Sequence, residues 1–205
     1  AIIGGSKVST KIDVINFLLK KMDIIIIGGA MANTFVAAKG HDVGKSLFEK
    51  DCIYLAKELI EKSQNNNCNL ILPTDFIVSK NLKKNAECST ANFDSIPYNM
   101  MALDIGPKSI ELVNKNINNC KTILWNGPLG AFETYPFDKG TNKVASFVSS
   151  LTKQKKILSV AGGGDTVSAL NNAKVLNDFS YVSTAGGAFL EWLEGKVLPG
   201  IEPIS

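Results

Sequence analysis

The chain has 205 residues and a formal net charge of +3 at pH 7; its basic residues are all lysine, so it cannot by itself grip a phosphate with a bidentate guanidinium. The small and dispersed charge excludes a nucleic-acid surface, and the apolar runs are too short to span a bilayer. Widely spaced cysteines and a single histidine, His41, exclude a zinc site, so we expect a reduced, cytoplasmic protein.

Short apolar runs alternate with helix-like stretches almost throughout, which is typical of an α/β domain. Ser9 is a candidate cap for the first helix, whose apolar residues repeat at a spacing of three and four. Between residues 73 and 99 the pattern weakens, and we expect an irregular segment there. In chain order the predicted elements are strand 2–3, a helix after Ser9 that reaches residue 22, strand 23–27, helix 31–39, helix 47–62, strand 70–72, strand-like 76–78, strand 102–105, helix 108–117, strand 122–125, helix 142–151, strand 157–161, a helix from 166, strand 181–183 and helix 189–193.

Five of the apolar runs end in glycine or other small residues. If these runs are parallel strands, their turns lie on one edge of a single sheet, because βαβ connections return every strand in the same direction. Open α/β sheets bind ligands at that edge, and glycine lets the backbone approach an anion closely. The pattern therefore predicts a long, phosphate-bearing ligand. The turns are Gly4-Gly5, Gly28-Gly29, Asn126-Gly127, Gly162 to Gly164 and Ala185 to Gly187.

Two familiar phosphate motifs fail on spacing. The segment Gly40 to Ser46 has three residues between its glycines where a Walker A loop has four, and it lies between two predicted helices. The dinucleotide fingerprint fails because Val167 stands where its third glycine belongs. We expect the first segment to be a surface loop.

The segment Gly162 to Thr166 is a stronger candidate, because it follows a buried strand and opens a helix, where free amides favour an anion. Asp165 could hold Mg²⁺ between phosphate oxygens, although Asp165 or Thr166 could equally be a plain helix cap. Lys7 and Lys11 flank the start of the first helix and could neutralise a phosphoryl group, or they could be two solvated lysines.

The stretch from Trp125 to Glu133 contains a Gly-Pro turn that fixes the backbone beside Asn126. Glu133 could accept hydrogen bonds from ribose hydroxyls. Trp125 and Phe132 are more typical of a core or a pocket wall than of chemistry.

Together these segments resemble the phosphoglycerate kinase family, of bacterial type, in the family's order and over essentially all of the chain. The resemblance is to the C-terminal, nucleotide-binding domain, so residues 1–205 are identified as that domain and the N-terminal substrate domain is absent. It implies a three-layer α/β/α fold with a Rossmann-like six-stranded parallel sheet in the order 3-2-1-4-5-6. The matching blocks are Gly4 to Lys11, Ile27 to Asn33, Leu103 to Pro107, Trp125 to Glu133, Gly162 to Thr166 and Ser183 to Ala188.

The resemblance also implies an activity and its site. The family enzyme is a glycolytic kinase that moves the acyl phosphate of 1,3-bisphosphoglycerate to ADP, giving 3-phosphoglycerate and ATP, with Mg²⁺. It implies catalytic roles for Lys7, Lys11, Gly163 and Gly186, and a metal role for Asp165. Nucleotide contacts are implied for Gly5, Ser6, Lys11, Gly28, Gly29, Leu103, Asn126, Pro128, Leu129, Glu133, Gly162, Gly163, Gly164, Asp165 and Thr166.

Two departures from the family pattern are mild: Ala131 stands where valine is usual and Ala185 where a glycine is. We expect a cytoplasmic monomer with no membrane or nucleic-acid partner. It would meet 3-phosphoglycerate or 1,3-bisphosphoglycerate only through the missing domain, and alone would bind adenine nucleotide but turn over negligibly. Two alternatives remain: a nicotinamide oxidoreductase, for which the third fingerprint glycine is lacking, and a non-catalytic nucleotide sensor.

Overall fold

The computed structural model describes residues 1–196, and residues 197–205 at the end of the predicted domain lie outside the described part. Strands and helices alternate along most of this range. The strands are β1 (Ile2–Ile3), β2 (Ile24–Ile27), β3 (Asn69–Ile71), β4 (Asp75–Ser79), β5 (Ser89–Asn92), β6 (Met101–Ile105), β7 (Thr122–Asn126), β8 (Leu158–Gly162) and β9 (Tyr181–Ser183). The α-helices are α1 (Ile12–Leu18), α2 (Met31–Ala38), α3 (Ile53–Asn65), α4 (Pro107–Ile117), α5 (Lys139–Lys153), α6 (Gly164–Asn172) and α7 (Gly186–Leu193).

The main sheet has six strands in the order β3-β2-β1-β7-β8-β9. Every pair in it is parallel, and the central strand β1 aligns Ile3 with Ile27 on one side and with Asn126 on the other. Counted among these six strands alone, the order is 3-2-1-4-5-6, which confirms the predicted fold class. The carboxyl ends of the strands therefore share one edge.

Two apolar layers cover the faces of this sheet, because successive strand residues point to opposite sides. Ile3, on one face, joins the buried side chains of α1, α2, α3 and α7, whereas Ile2 joins those of α4, α5 and α6 on the other. Both isoleucines are fully buried, and each such side chain contributes about 2 kcal/mol of hydrophobic stabilisation. Trp125 lies in the second layer at 1% exposure, as predicted for a core residue.

A second, antiparallel sheet in the order β5-β4-β6 occupies much of the segment predicted to be irregular. The expectation was wrong because β5 is an edge strand. Three of its four residues, Ser89, Thr90 and Asn92, are exposed, so it shows no apolar alternation.

The helix predictions were wrong mainly at their amino ends. Ser9 does not cap α1, since the cap position is Lys11 with no side-chain hydrogen bond, and the Ser9 hydroxyl donates to Glu49 instead. The helix predicted from residue 47 begins as α3 at Ile53, after a short 3-10 turn over Lys50–Cys52. Within residues 1–196 no helix combines the length and apolar character needed to cross a membrane.

Asp104 is a buried carboxyl that ties the second sheet to the helix layer. Its two oxygens accept the backbone N–H groups of Ile105 at 2.9 Å and of Gly140, at the start of α5, at 2.6 Å. A Cβ at Gly130 or Gly140 would lie within 2.4 Å of the Asp104 carboxylate, so only glycine leaves room for it. Burial raises the pKa of Asp104 from 3.8 to about 8, against the opposing effect of the two backbone hydrogen bonds.

We expect the free energy of unfolding to fall as pH rises from about 4 to 8. The native state holds a proton on Asp104 that the unfolded chain releases above its usual pKa, so each pH unit costs up to about 1.4 kcal/mol through this group. Asp104→Asn should be less stable at pH 5 by about 1–3 kcal/mol, because an amide nitrogen then faces a backbone N–H. Because the unsubstituted chain loses up to about 1.4 kcal/mol per pH unit and the variant does not, the deficit should shrink and then reverse toward pH 8, as measured by urea unfolding at each pH. Exposed Asp94→Asn serves as the control, and a deficit that is constant with pH would contradict this account.

Candidate active site

The turns after β1, β2 and β7 are in direct backbone contact at the carboxyl edge of the sheet. The Gly4 N–H donates to the Asn126 carbonyl at 2.8 Å, and the Gly29 N–H donates to the Leu129 carbonyl at 2.9 Å. A Cβ on Gly4 would lie 2.0 Å from the Pro128 carbonyl oxygen. A residue with a side chain there would therefore separate the turns.

A cleft of about 300 Å³ opens where the turns after β1 and β7 meet the turn after β8. It gathers, from three separate parts of the sequence, eight of the residues predicted to contact nucleotide. Its lining residues are Gly4, Gly5, Ser6, Thr10, Lys11, Asn126, Gly127, Gly163, Gly164, Asp165 and Thr166.

Lys11 and Asn126 form the polar floor of the cleft. The Lys11 ammonium donates to Asn126 Oδ1, and Asn126 Nδ2 donates to the Gly162 carbonyl at 2.7 Å. Because Asn126 is 1% exposed and bonded at both ends, its amide has one orientation. Burial lowers the pKa of Lys11, and the nearby Asp165 carboxylate opposes that shift.

The amino end of α6 forms the opposite wall. Gly163 precedes the helix with φ of +98°, and no side chain caps it, so the alternative that Asp165 or Thr166 is a plain cap is not observed. The first-turn amides therefore remain available to an anion. The Thr166 hydroxyl accepts the Gly127 N–H at 2.7 Å, which ties the turn after β7 to the amino end of α6.

Asp165 is exposed at the cleft and opposite in charge to Lys11. Within residues 1–196 no three acidic, histidine or cysteine side chains come together as a ready-made metal cage. Mg²⁺ is normally held by one or two carboxylates together with substrate phosphates. A single exposed carboxylate beside an anion site fits that pattern.

Several predicted residues lie next to the cleft without lining it. The Ala131 N–H donates to the Leu103 carbonyl at 2.8 Å, which joins β6 to the turn after β7, and Gly28 packs against Leu129. Gly186 begins α7, and a Cβ placed on it would lie 3.9 Å from the Gly164 nitrogen. The full set outside the cleft lining is Lys7, Gly28, Gly29, Leu103, Pro128, Leu129, Glu133, Gly162 and Gly186.

Lys7 and Glu133 are both exposed, and the structure shows no contact of either with the cleft. Sequence reasoning missed Thr10, which lines the cleft and whose hydroxyl donates to the Lys7 carbonyl at 3.0 Å. Its position beside Lys11 was the available signal. It also missed the hydrogen bond between Glu49 and Ser9. No local pattern predicts that contact, because the two residues are 40 positions apart in the chain.

The segment Gly40 to Ser46 is not part of this site. The Gly44 N–H donates to Asp42, the Lys45 N–H donates to Met100, and the Ser46 hydroxyl accepts the Ala102 N–H. Its polar groups hold the loop against the second sheet, as its failed motif spacing indicated.

Comparisons with known proteins agree on a single family. The family model described as phosphoglycerate kinase matches residues 1–196. The phosphoglycerate kinase of Methylorubrum extorquens strain PA1 is 55% identical over 204 residues, which is 100% of this chain and 51% of that protein. The phosphoglycerate kinase of Chelativorans sp. strain BNC1 is 54% identical over 201 residues, which is 98% of this chain and 50% of that protein.

Solved structures give the same result. The phosphoglycerate kinase of Coxiella burnetii superposes with a TM-score of 0.93 at 43% identity, covering 98% of this chain and 51% of that one. The phosphoglycerate kinase of Pyrococcus horikoshii OT3 superposes with a TM-score of 0.81 at 26% identity, covering 98% and 50%. The chain thus spans about half the length of the curated relatives it matches. With its fold, its glycine turns and the family match over residues 1–196 in agreement, the chain belongs to the phosphoglycerate kinase family.

Proposed function

We propose that residues 1–205 are the nucleotide-binding domain of a phosphoglycerate kinase and bind ADP or ATP with Mg²⁺. The observation that carries this proposal is the cleft in which Lys11, Asn126 and the amino end of α6 converge from three strand ends. In the intact enzyme, this domain would accept the acyl phosphate of 1,3-bisphosphoglycerate on ADP in the glycolytic direction.

The polyphosphate is the part of the ligand best matched by the site. A helix amino end carries about half a positive charge together with unpaired N–H groups, and Lys11 adds a positive charge on the floor of the cleft. Gly163 and Gly164 leave the backbone bare, so phosphate oxygens can approach the amides. Gly5 and Ser6 extend the same surface along the turn after β1.

Asp165 is the residue that would hold Mg²⁺, because it places a carboxylate at the phosphate end of the cleft. When bound, the ion would neutralise charge on the phosphate oxygens. The positive charge of Lys11 would also neutralise phosphate charge, without a metal ion.

The base and ribose would lie beyond Asn126, along the turns after β2 and β7. Gly28, Gly29 and Leu129 pack closely there, and Leu103 is tied to the same turn through Ala131. Pro128 would complete the apolar wall, and Glu133 would accept hydrogen bonds from the ribose hydroxyls.

The chemistry requires no general base, because the acceptor oxygen of ADP or of a carboxylate is already ionised. Positioning and charge neutralisation must supply the acceleration. We assign Lys7, Lys11, Gly163 and Gly186 to the transferred phosphoryl group. Since the chain has no arginine, a guanidinium for the phosphoglycerate would have to come from elsewhere in the enzyme. We infer a cytoplasmic monomer with no membrane or nucleic-acid partner.

Lys11→Met should weaken MgADP binding by about tenfold to a hundredfold, because it removes a charged donor worth about 1.5–3 kcal/mol. Isothermal titration calorimetry of the 205-residue chain measures this directly. Exposed Lys20→Met makes the same charge change away from the cleft and should bind as the unsubstituted chain does. Equal affinity of Lys11→Met and the unsubstituted chain would remove Lys11 from the site, and no binding of MgADP or MgATP by the unsubstituted chain would end the proposal.

Asp165→Asn should reduce the gain in ADP affinity that Mg²⁺ brings. In EDTA the same variant should bind ADP at least as tightly as the unsubstituted chain, because it removes a negative charge beside the phosphates. The test is a pair of ADP titrations with and without Mg²⁺, with Asp94→Asn as the exposed control. An unchanged ratio between the two affinities would place the metal elsewhere.

The 205 residues alone should give no measurable turnover in a coupled phosphoglycerate kinase assay, although they bind nucleotide. The reason is that half of the charge that must be neutralised would be met by groups outside this chain. Adding the separately expressed first half of a full-length relative should restore activity, which also separates a kinase domain from a nucleotide sensor. Rates equal to those of an intact enzyme from this chain alone would refute the expectation.

A further inference from the structure

Glu49 is bonded across the fold to the loop that carries both candidate catalytic lysines. We call residues 5–11, which join β1 to α1, the lysine loop. Glu49 Oε2 accepts the Ser9 backbone N–H at 2.9 Å, and its Oε1 accepts the Ser9 hydroxyl at 2.5 Å. Both oxygens of the Glu49 carboxylate thus accept hydrogen bonds from Ser9, which lies between Lys7 and Lys11 in the chain.

Glu49 is itself held in place by α2. Its backbone N–H donates to the hydroxyl of Thr34, which is fully buried, at 3.0 Å. The neighbouring Asn33 donates to the Leu47 carbonyl at 3.0 Å and is 1% exposed. Two buried side chains at the start of α2 therefore fix the backbone on which Glu49 stands.

The charge state of Glu49 suits this role. Burial acts to raise the pKa of Glu49, but hydrogen bonds from Ser9 and the Val8 amide and the charge of Lys7 outweigh it, so the pKa lies below its usual value. The carboxylate is therefore anionic at neutral pH. Hydrogen bonds to an ionised acceptor are about twice as strong as neutral ones.

The lysine loop is held at several points. The Gly5 carbonyl accepts the Met31 N–H at 3.0 Å, and Val8 is fully buried in the core. Two of its internal bonds, from the Lys11 N–H to the Val8 carbonyl at 2.8 Å and from the Thr10 hydroxyl to the Lys7 carbonyl, close the turn on itself. Its inner side, including Ser6, Thr10 and Lys11, lines the cleft. The Glu49 contact restrains its outer side.

We propose that Glu49 is a positioning residue whose carboxylate fixes the lysine loop so that Lys11 faces the nucleotide phosphates. This inference rests on the proposed nucleotide binding. Glu49 touches no phosphate and acts only through Ser9 and the loop.

The sign of the effect separates this role from simple electrostatics. A negative charge near a polyanion repels it, so a Glu49 that did nothing but carry charge would weaken binding, and its neutralisation would tighten MgADP. If Glu49 orders the lysine loop, its neutralisation should weaken MgADP binding, because the ligand must then order the loop when it binds.

The test uses Glu49→Gln in the 205-residue chain, with exposed Glu61→Gln on α3 as the control of equal charge change. We expect Glu49→Gln to weaken MgADP by about fivefold, which is the loss of one net hydrogen bond, and Glu61→Gln to leave it unchanged. The Ser9 amide should exchange with solvent at least about tenfold faster in Glu49→Gln. Ser9→Ala should weaken MgADP in the unsubstituted chain and have little further effect in Glu49→Gln, because both changes remove one contact.

Unchanged or tighter MgADP binding by Glu49→Gln would overturn the inference, as would additive effects of Glu49→Gln and Ser9→Ala. Should Glu49→Gln fail to fold, Ser9→Ala tests the same contact from the other side, and an unchanged affinity there would also overturn it. If the unsubstituted chain binds no MgADP, the proposed function itself has failed. The Ser9 exchange rate then still decides the anchoring: faster exchange supports it and an unchanged rate overturns it.

Discussion

The candidate site depends on direct backbone contacts between glycine-containing turns at one edge of a parallel sheet. The turns after β1 and β7 approach so closely that a methyl group on Gly127 would lie 2.1 Å from the Gly4 carbonyl oxygen. Gly29, with φ of +70°, makes a similar contact with Gly5 from the turn after β2. Because no side chains separate them, turns that are more than a hundred residues apart in the chain form one surface.

Few charged groups line that surface. Lys11 and Asp165 both line the cleft, and Asn126 is bonded at both ends, to the Lys11 ammonium and to the Gly162 carbonyl, so the cation keeps a set position beside the amino end of α6. Such preorganised groups stabilise phosphate charge without having to reorganise when the ligand arrives. This arrangement supports the phosphate binding proposed above, and it agrees with membership of a kinase family whose chemistry consists of positioning.

Two carboxyl groups away from this edge hold the loop before α1 and the start of α5 in place. Asp104 draws the amide of Gly140 at the start of α5 toward the second sheet, and Glu49 draws Ser9 toward α2. Both are carboxyl groups that accept backbone N–H groups, but burial raises the pKa of Asp104 whereas hydrogen bonds and Lys7 lower that of Glu49. The same chemical group therefore contributes to stability in one place and, by our inference, to the ligand site in the other.

The pattern of residues was enough to predict a parallel sheet and the single edge on which the glycine turns fall, and the family resemblance supplied the strand order. Apolar runs followed by small residues have one economical arrangement in an α/β fold, and the motif spacing around Lys11 and Gly163 marks the turns that matter. The second sheet escaped prediction because the side chains of β5 face water and carry no period. The composition of the cleft became clear only from the folded chain. Lys7 and Glu133 lie outside its lining, and Ser9 binds Glu49 instead of capping α1. Such contacts join residues far apart in the chain, and local periodicity, which reports only how a segment meets its own core, contains no information about them.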